Sequence, residues 1–193
     1  MAQYFTMFIS ASVVNNFVLT RFLGLCIFFG VSKSLSASLG MGMAVTSVIT
    51  FSSMLAWVIY HFVLLPFHLE FLRTVVFVLL IASFVQLLEM VVKKYAPALY
   101  NMWGIYLVLI ATNCIVFAVP LLNADSNYPF VMSVVNAVGS GVGFAIAIVL
   151  MSSIREKLAY ADVPKALEGM GVAFILAGML ALSFLGFSGM IKI

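Results

Sequence analysis

Apolar residues run in long, nearly unbroken stretches along this chain, and polar residues gather in short breaks between them. A helix that crosses the hydrocarbon core of a bilayer needs about 20 mostly apolar residues. Stretches of that kind fall near residues 3–29, 39–62, 70–92, 101–122, 130–151 and 169–190. Lys33 and Ser34 mark the first break, and His61, Pro66, His68 and Glu70 the second. Lys93, Lys94 and Pro97 form the third, and Asn123, Asp125, Asn127 and Pro129 the fourth. Arg155 to Glu168, ending with Asp162-Val163-Pro164, is the longest polar connection and is expected to include a short surface helix. The pattern predicts an all-α integral membrane protein, a single domain of six transmembrane helices.

Two stretches are not plain. The first carries Asn15-Asn16, then Arg21, Gly24 and Cys26 within a single span, and the fourth carries Thr112-Asn113-Cys114 with Pro120 following. An amide in hydrocarbon costs free energy unless it is hydrogen-bonded, and it can satisfy backbone groups that a broken helix leaves free. The first and fourth helices are therefore expected to be interrupted. Arg21 either snorkels toward one surface or marks the interruption.

An internal echo follows the same spacing. The first and fourth spans both hold Asn and Cys, while the second and fifth open with glycines, Gly40 and Gly42 against Gly139, Gly141 and Gly143. A repeat of three spans has an odd number of crossings, so a second copy must be inverted. The expectation is two inverted three-helix repeats, about residues 1–95 and 96–193, an arrangement that often holds a functional site near the bilayer midplane. Small residues at helix contacts account for the glycines equally well.

Composition removes the soluble alternative. The 193 residues are 65% hydrophobic and 8% charged, with a mean hydropathy of +1.26. Average soluble domains are about 45–50% apolar and about 25% charged. No Lys or Arg occurs in the first twenty residues, so the basic start of a cleavable signal peptide is missing and the first stretch is expected to be a retained span. The net charge of +3 comes from loop residues and forms no basic patch with interleaved aromatics, which argues against a nucleic-acid partner. Lys33, Lys93, Lys94, Arg155, Lys157 and Lys165 occupy odd-numbered breaks, whereas the even ones hold Arg73 alone and the C-terminal tail Lys192. By the positive-inside rule the odd loops are cytoplasmic and both termini extracytoplasmic.

Chemistry is sparse. No glycine-rich phosphate loop, HExxH, CxxC or GxSxG pattern occurs, and Gly139-Ser140-Gly141-Val142-Gly143 is expected to serve helix packing. His61 and His68 are expected at the membrane interface, and Glu89–Lys93 and Glu70–Arg73 as local pairs at helix ends. A transporter with its own ion-binding carboxylates is not visible. Cys26 and Cys114 lie inside apolar segments, where a structural disulfide is not expected. Each can be a small buried hydrophobe. Alternatively, as thiolates between half-helices, they can bind a soft metal centre. An iron–sulfur cluster normally takes four cysteines, so a cluster here requires a partner chain.

Val14 to Leu19, Phe22-Leu23-Gly24-Leu25-Cys26 and Gly30-Val31-Ser32-Lys33 resemble the A subunits of Rnf electron-transport complexes. So do Glu89 to Lys94, Thr112-Asn113-Cys114, Ile154 to Ala159, Ala161 to Pro164 and Phe187-Ser188-Gly189. The resemblance runs along essentially the whole chain and extends to the related E subunit of the sodium-pumping NADH:quinone reductase. It implies a six-helix subunit of the bacterial inner membrane, paired with a homologous sister of opposite topology, the E subunit. In such a pair each subunit gives two intramembrane cysteines to one [2Fe–2S] cluster; the matching positions are Cys26 and Cys114. Gly24, Thr112 and Asn113 would border the sulfurs and tune the cluster. The implied complex passes electrons between ferredoxin and NAD with translocation of sodium or protons. Its flavins and other iron–sulfur centres reside in the other subunits, B, C, D and G. Two departures stand out: Ile27 follows the first cysteine where Pro is frequent, and Ala118 replaces a frequent Gly. A stand-alone transporter or channel, or a structural anchor without a cofactor, are the alternatives.

Overall fold

The computed structural model describes residues 2–32, 34–66, 70–95, 109–110, 112–160 and 169–188. Lys33, His68, Pro97, Lys165, Lys192 and the Asp162-Val163-Pro164 segment, with the surface helix expected there, lie outside the described residues. Among those described, the regular structure is entirely helical, as the apolar pattern predicts.

The first stretch is three pieces. Helix α1, Ala2–Ile9, widens into a π-helical turn, Ser10–Val14, and stops at Asn15. Two short helices follow, α2, Phe17–Arg21, and α3, Leu25–Val31, separated by Phe22 and Gly24 with positive φ. Helix α4, Leu35–Ile59, is continuous and ends in a second π-helical turn, Tyr60–Leu64. Beyond it come α5, Arg73–Tyr95, α6, Cys114–Asp125, α7, Phe130–Leu158, and α8, Met170–Ser188. By length and composition, the segments Leu35–Leu64, Arg73–Lys94 and Phe130–Leu158 can each cross a membrane unaided.

Helix α7 is the central post, and α4 lies along it more extensively than any other pair of elements touches. The contact works because side chains are missing. A Cβ on Gly141 would stand 2.7 Å from Thr46 Cα, and one on Gly42 would stand 2.8 Å from Ala145 Cβ. Lipid offers helices no hydrophobic incentive to associate, so close van der Waals approach through small residues supplies it. The three glycines of α7 lie in the middle of the helix and do not open it, contrary to the expected echo. Val45, Ile49, Phe144, Ala147, Ile148 and Met151 are fully buried around this seam. Outward faces are the reverse of a soluble protein's: Phe5, Met43, Phe62, Leu79, Met179 and Leu182 are all exposed. Lipid is the solvent that tolerates such a surface.

Two expectations need correction. Helix α7 does not end near residue 151 but runs on to Leu158. This carries Arg155 to the last turn of α3, where its Nη1 donates to Phe29 O at 3.0 Å and Ser32 Oγ at 2.8 Å. A cation that satisfies terminal carbonyls stabilises both helices. Asn123, expected in a loop, is inside α6 and buried. Its Nδ2 donates to Ser133 Oγ at 2.9 Å, and its Oδ1 accepts from Asn136 Nδ2 at 2.6 Å. Arg73 forms its ion pair with Asp125 across the fold; the side chain of Glu70, its expected local partner, is outside the described residues. His61, stacked on Trp57 with ring centroids 4.9 Å apart and exposed, agrees with an interfacial place.

Candidate functional site: two chain breaks that meet

Both interruptions are built on an Asn in extended conformation, Asn16 at φ −64°, ψ 110° and Asn113 at φ −74°, ψ 120°. Each amide oxygen accepts the backbone N–H two residues on, Val18 at 3.1 Å and Ile115 at 3.3 Å. This is the helix-capping use of Asn, which satisfies one of the donors that a new helix leaves free. The local sequence therefore folds the same way twice.

The breaks also lie at one depth. Asn16 Nδ2 donates to Gly143 O at 2.7 Å, and a Cβ on Gly24 would stand 3.5 Å from the Phe144 ring. Phe144 is the middle residue of α7, so Asn16 and Gly24 both lie at the level of the helix centre. Gly143 is itself needed here, since a Cβ on it would meet Ser12 O at 2.7 Å. At the same level the two breaks touch. A Cβ on Gly24 would be 2.9 Å from Asn113 Oδ1. The positive φ of Gly24, 82°, would strain a side chain for a second reason.

Cys26 follows Gly24 by two residues at the start of α3, and Cys114 follows Asn113 directly as the first residue of α6. Both thiols are free and exposed on this chain. Neither thiol is buried within this chain. Of the other expected site residues, Gly24 and Asn113 are brought together, whereas Thr112 is exposed and donates to Leu109 O at 3.3 Å. Among the described residues, no group of three or more His, Cys, Asp or Glu could hold a metal ion within this chain.

One polar atom at this junction is unmatched. Asn113 Nδ2 is buried without a hydrogen-bond partner among the described residues, a condition that costs about 1–3 kcal/mol unless another group accepts from it. Sulfur ligands commonly accept such donors, and these donors shift their redox potential. Two exposed thiols follow these break residues within two positions in sequence, and a soft metal centre completed by another chain is a chemistry that such thiols can serve. Sequence reasoning missed the Asn16–Gly143 tie, the Asn123–Ser133–Asn136 cluster and the Arg155 clamp. A buried Asn across a turn from another was the available signal for the cluster; the others are contacts between distant segments.

The family model for Rnf-Nqr subunits, described as membrane proteins, matches residues 4–191. Over 193 residues, the whole of both chains, the sequence is 80% identical to the A subunit of the proton-translocating ferredoxin:NAD(+) oxidoreductase complex of Clostridium ljungdahlii. It is also 50% identical over 192 residues to the A subunit of the ion-translocating oxidoreductase complex of Serratia proteamaculans. The A subunit of the complex of that name from Sodalis glossinidius is 49% identical over 193 residues, again with all of both chains covered.

Proposed function

The chain belongs to the Rnf-Nqr family of membrane-protein subunits, and from that premise we propose that it is the A subunit of an ion-translocating ferredoxin:NAD+ oxidoreductase complex. Its part is to hold a one-electron carrier at mid-membrane depth. Cys26 and Cys114 would supply two thiolates to a [2Fe–2S] cluster, with the other two supplied by a homologous sister, the E subunit. When bound, the cluster accepts and releases single electrons between cofactors on opposite faces of the bilayer.

The observation that carries this reading is the contact of Gly24 with Asn113 at the centre of α7, next to both exposed thiols. The chain's own contributions follow from it. Asn16 starts α2 and Asn113 starts α6, which opens with Cys114, while Cys26 lies in α3, which begins after Gly24. Gly24 lets the backbone of one break approach the other. Asn113 Nδ2 remains free to donate to a sulfur and so to favour its anionic form.

The matching Asn caps also support two inverted repeats, residues 1–95 and 96–193. The charge bias of the breaks supports an inner-membrane protein with both termini extracytoplasmic. Flavins and further iron–sulfur centres then belong to the B, C, D and G subunits. Electron paramagnetic resonance of the purified complex tests the central point. Cys26→Ala and Cys114→Ala are each expected to abolish one [2Fe–2S] signal while leaving subunit composition intact. Survival of every such signal in both variants would sink the assignment.

A further inference from the structure

Arg21 ends α2 inside the first apolar stretch and is exposed, with its guanidinium 5.7 Å from the Phe17 ring centroid. Among the described residues no carboxylate pairs with it. Its side chain lines a cavity of about 270 Å³ together with Ser10, Asn15, Ser126, Tyr128 and Asn136. The polar part of that lining is a cation with hydroxyls and amides, and the lining contains no acid.

The free donors in the cavity can be identified. Asn136 Nδ2 is committed to Asn123, and Asn15 Nδ2 donates to Ser10 Oγ at 3.2 Å. The hydroxyls of Ser126 and Tyr128 have no protein partner among the described residues, which leaves them and the guanidinium to serve an occupant. A guanidinium with hydroxyl donors beside it matches a phosphate oxygen set.

The position narrows the source of that phosphate. Ser126 and Tyr128 form the turn between α6 and α7, and Trp57 Nε1 donates to Tyr128 O at 3.0 Å. Trp and Tyr gather at the level of lipid headgroups. Arg21 belongs to the chain break yet lines one cavity with Ser126 and Tyr128, so its long side chain extends from the break toward this level, which is snorkelling. Met7 and Leu122 supply apolar wall, suited to the glycerol end of a lipid and unsuited to a fully hydrated free anion. We propose that this cavity is a phosphate site occupied by the headgroup of an anionic phospholipid. The inference is independent of the electron-transfer reading and uses none of its residues.

The test uses the intact complex, stripped by detergent exchange and placed in nanodiscs of equal parts phosphatidylglycerol and phosphatidylcholine. Lipid that remains bound after a second exchange is counted by mass spectrometry. Wild type is expected to retain phosphatidylglycerol preferentially, and Arg21→Gln to lower that retention about tenfold, the factor set by one charge-assisted contact. Arg21→Lys should keep most of it, and Tyr128→Phe should lower it about threefold, corresponding to a weaker neutral contact. Unchanged iron content and unfolding midpoint certify the fold, and Tyr128→Phe carries the test if Arg21→Gln does not assemble. Equal retention by wild type and variants overturns the proposal. So does displacement by inorganic phosphate without headgroup preference, which marks a free-anion site. Loss of a neighbouring subunit from Arg21→Gln with lipid retention unchanged also overturns it, in favour of a partner carboxylate.

Discussion

At Asn16 and at Asn113 the same side-chain oxygen starts a helix in the same way, and the difference lies in the other half of each amide. Asn16 Nδ2 donates to Gly143 O at 2.7 Å, stitching its break to the central helix. Asn113 Nδ2, equally buried, has no partner among the described residues. A fully satisfied amide in a low-dielectric setting holds structure, whereas an unsatisfied one raises the free energy of the isolated chain by about 1–3 kcal/mol. The difference teaches that the first break is anchored by the fold, and that the second keeps a donor which, under the proposed function, serves what binds at the cysteines.

The largest expected effect is on the anchored side. Asn16→Leu removes the cap on Val18 and the tie to α7, and should destabilise the complex by about 3 kcal/mol. Thermal unfolding in detergent checks this, and an unshifted midpoint would show the two breaks to be energetically alike. Gly24→Ala comes next, at about 2 kcal/mol, from a Cβ at positive φ pressed against Asn113. Its damage should also appear as reduced iron per complex, because it separates the two breaks.

Asn113→Ser sharpens the comparison most. Serine caps a helix about as well as asparagine, so stability should change by no more than about 0.5 kcal/mol. The signal lost in the cysteine variants should nevertheless shift in potential, since the amide donor is gone. An unshifted potential would make Asn113 a cap and nothing more. The smallest effect belongs to a control away from both breaks. Asp125→Asn removes the pairing with Arg73 at a partly exposed position and should cost under about 1 kcal/mol, with no change in the resonance signal.

Much of this was legible in the chain itself. Asn15-Asn16 and Thr112-Asn113 stand out because an amide in an apolar run must find a hydrogen bond, and a helix start is the nearest place to find it. The cysteines stand out only because they sit beside those residues. Other features were hidden because they depend on partners distant in sequence. Asn123 resembles a loop residue until Ser133 and Asn136 surround it. Nothing local to Arg155 says that α7 continues through it, because the acceptors, Phe29 O and Ser32 Oγ, lie more than a hundred residues away.

By itself the sequence determined that this is a membrane protein and where its helices break, since both are transfer free energies of single side chains and need no knowledge of neighbours. Only the tertiary structure decided that the two breaks lie at the centre of α7 and touch. That outcome rests on the room left by Gly24, Gly141 and Gly143, and a missing side chain has meaning only once the atoms that fill its place are known.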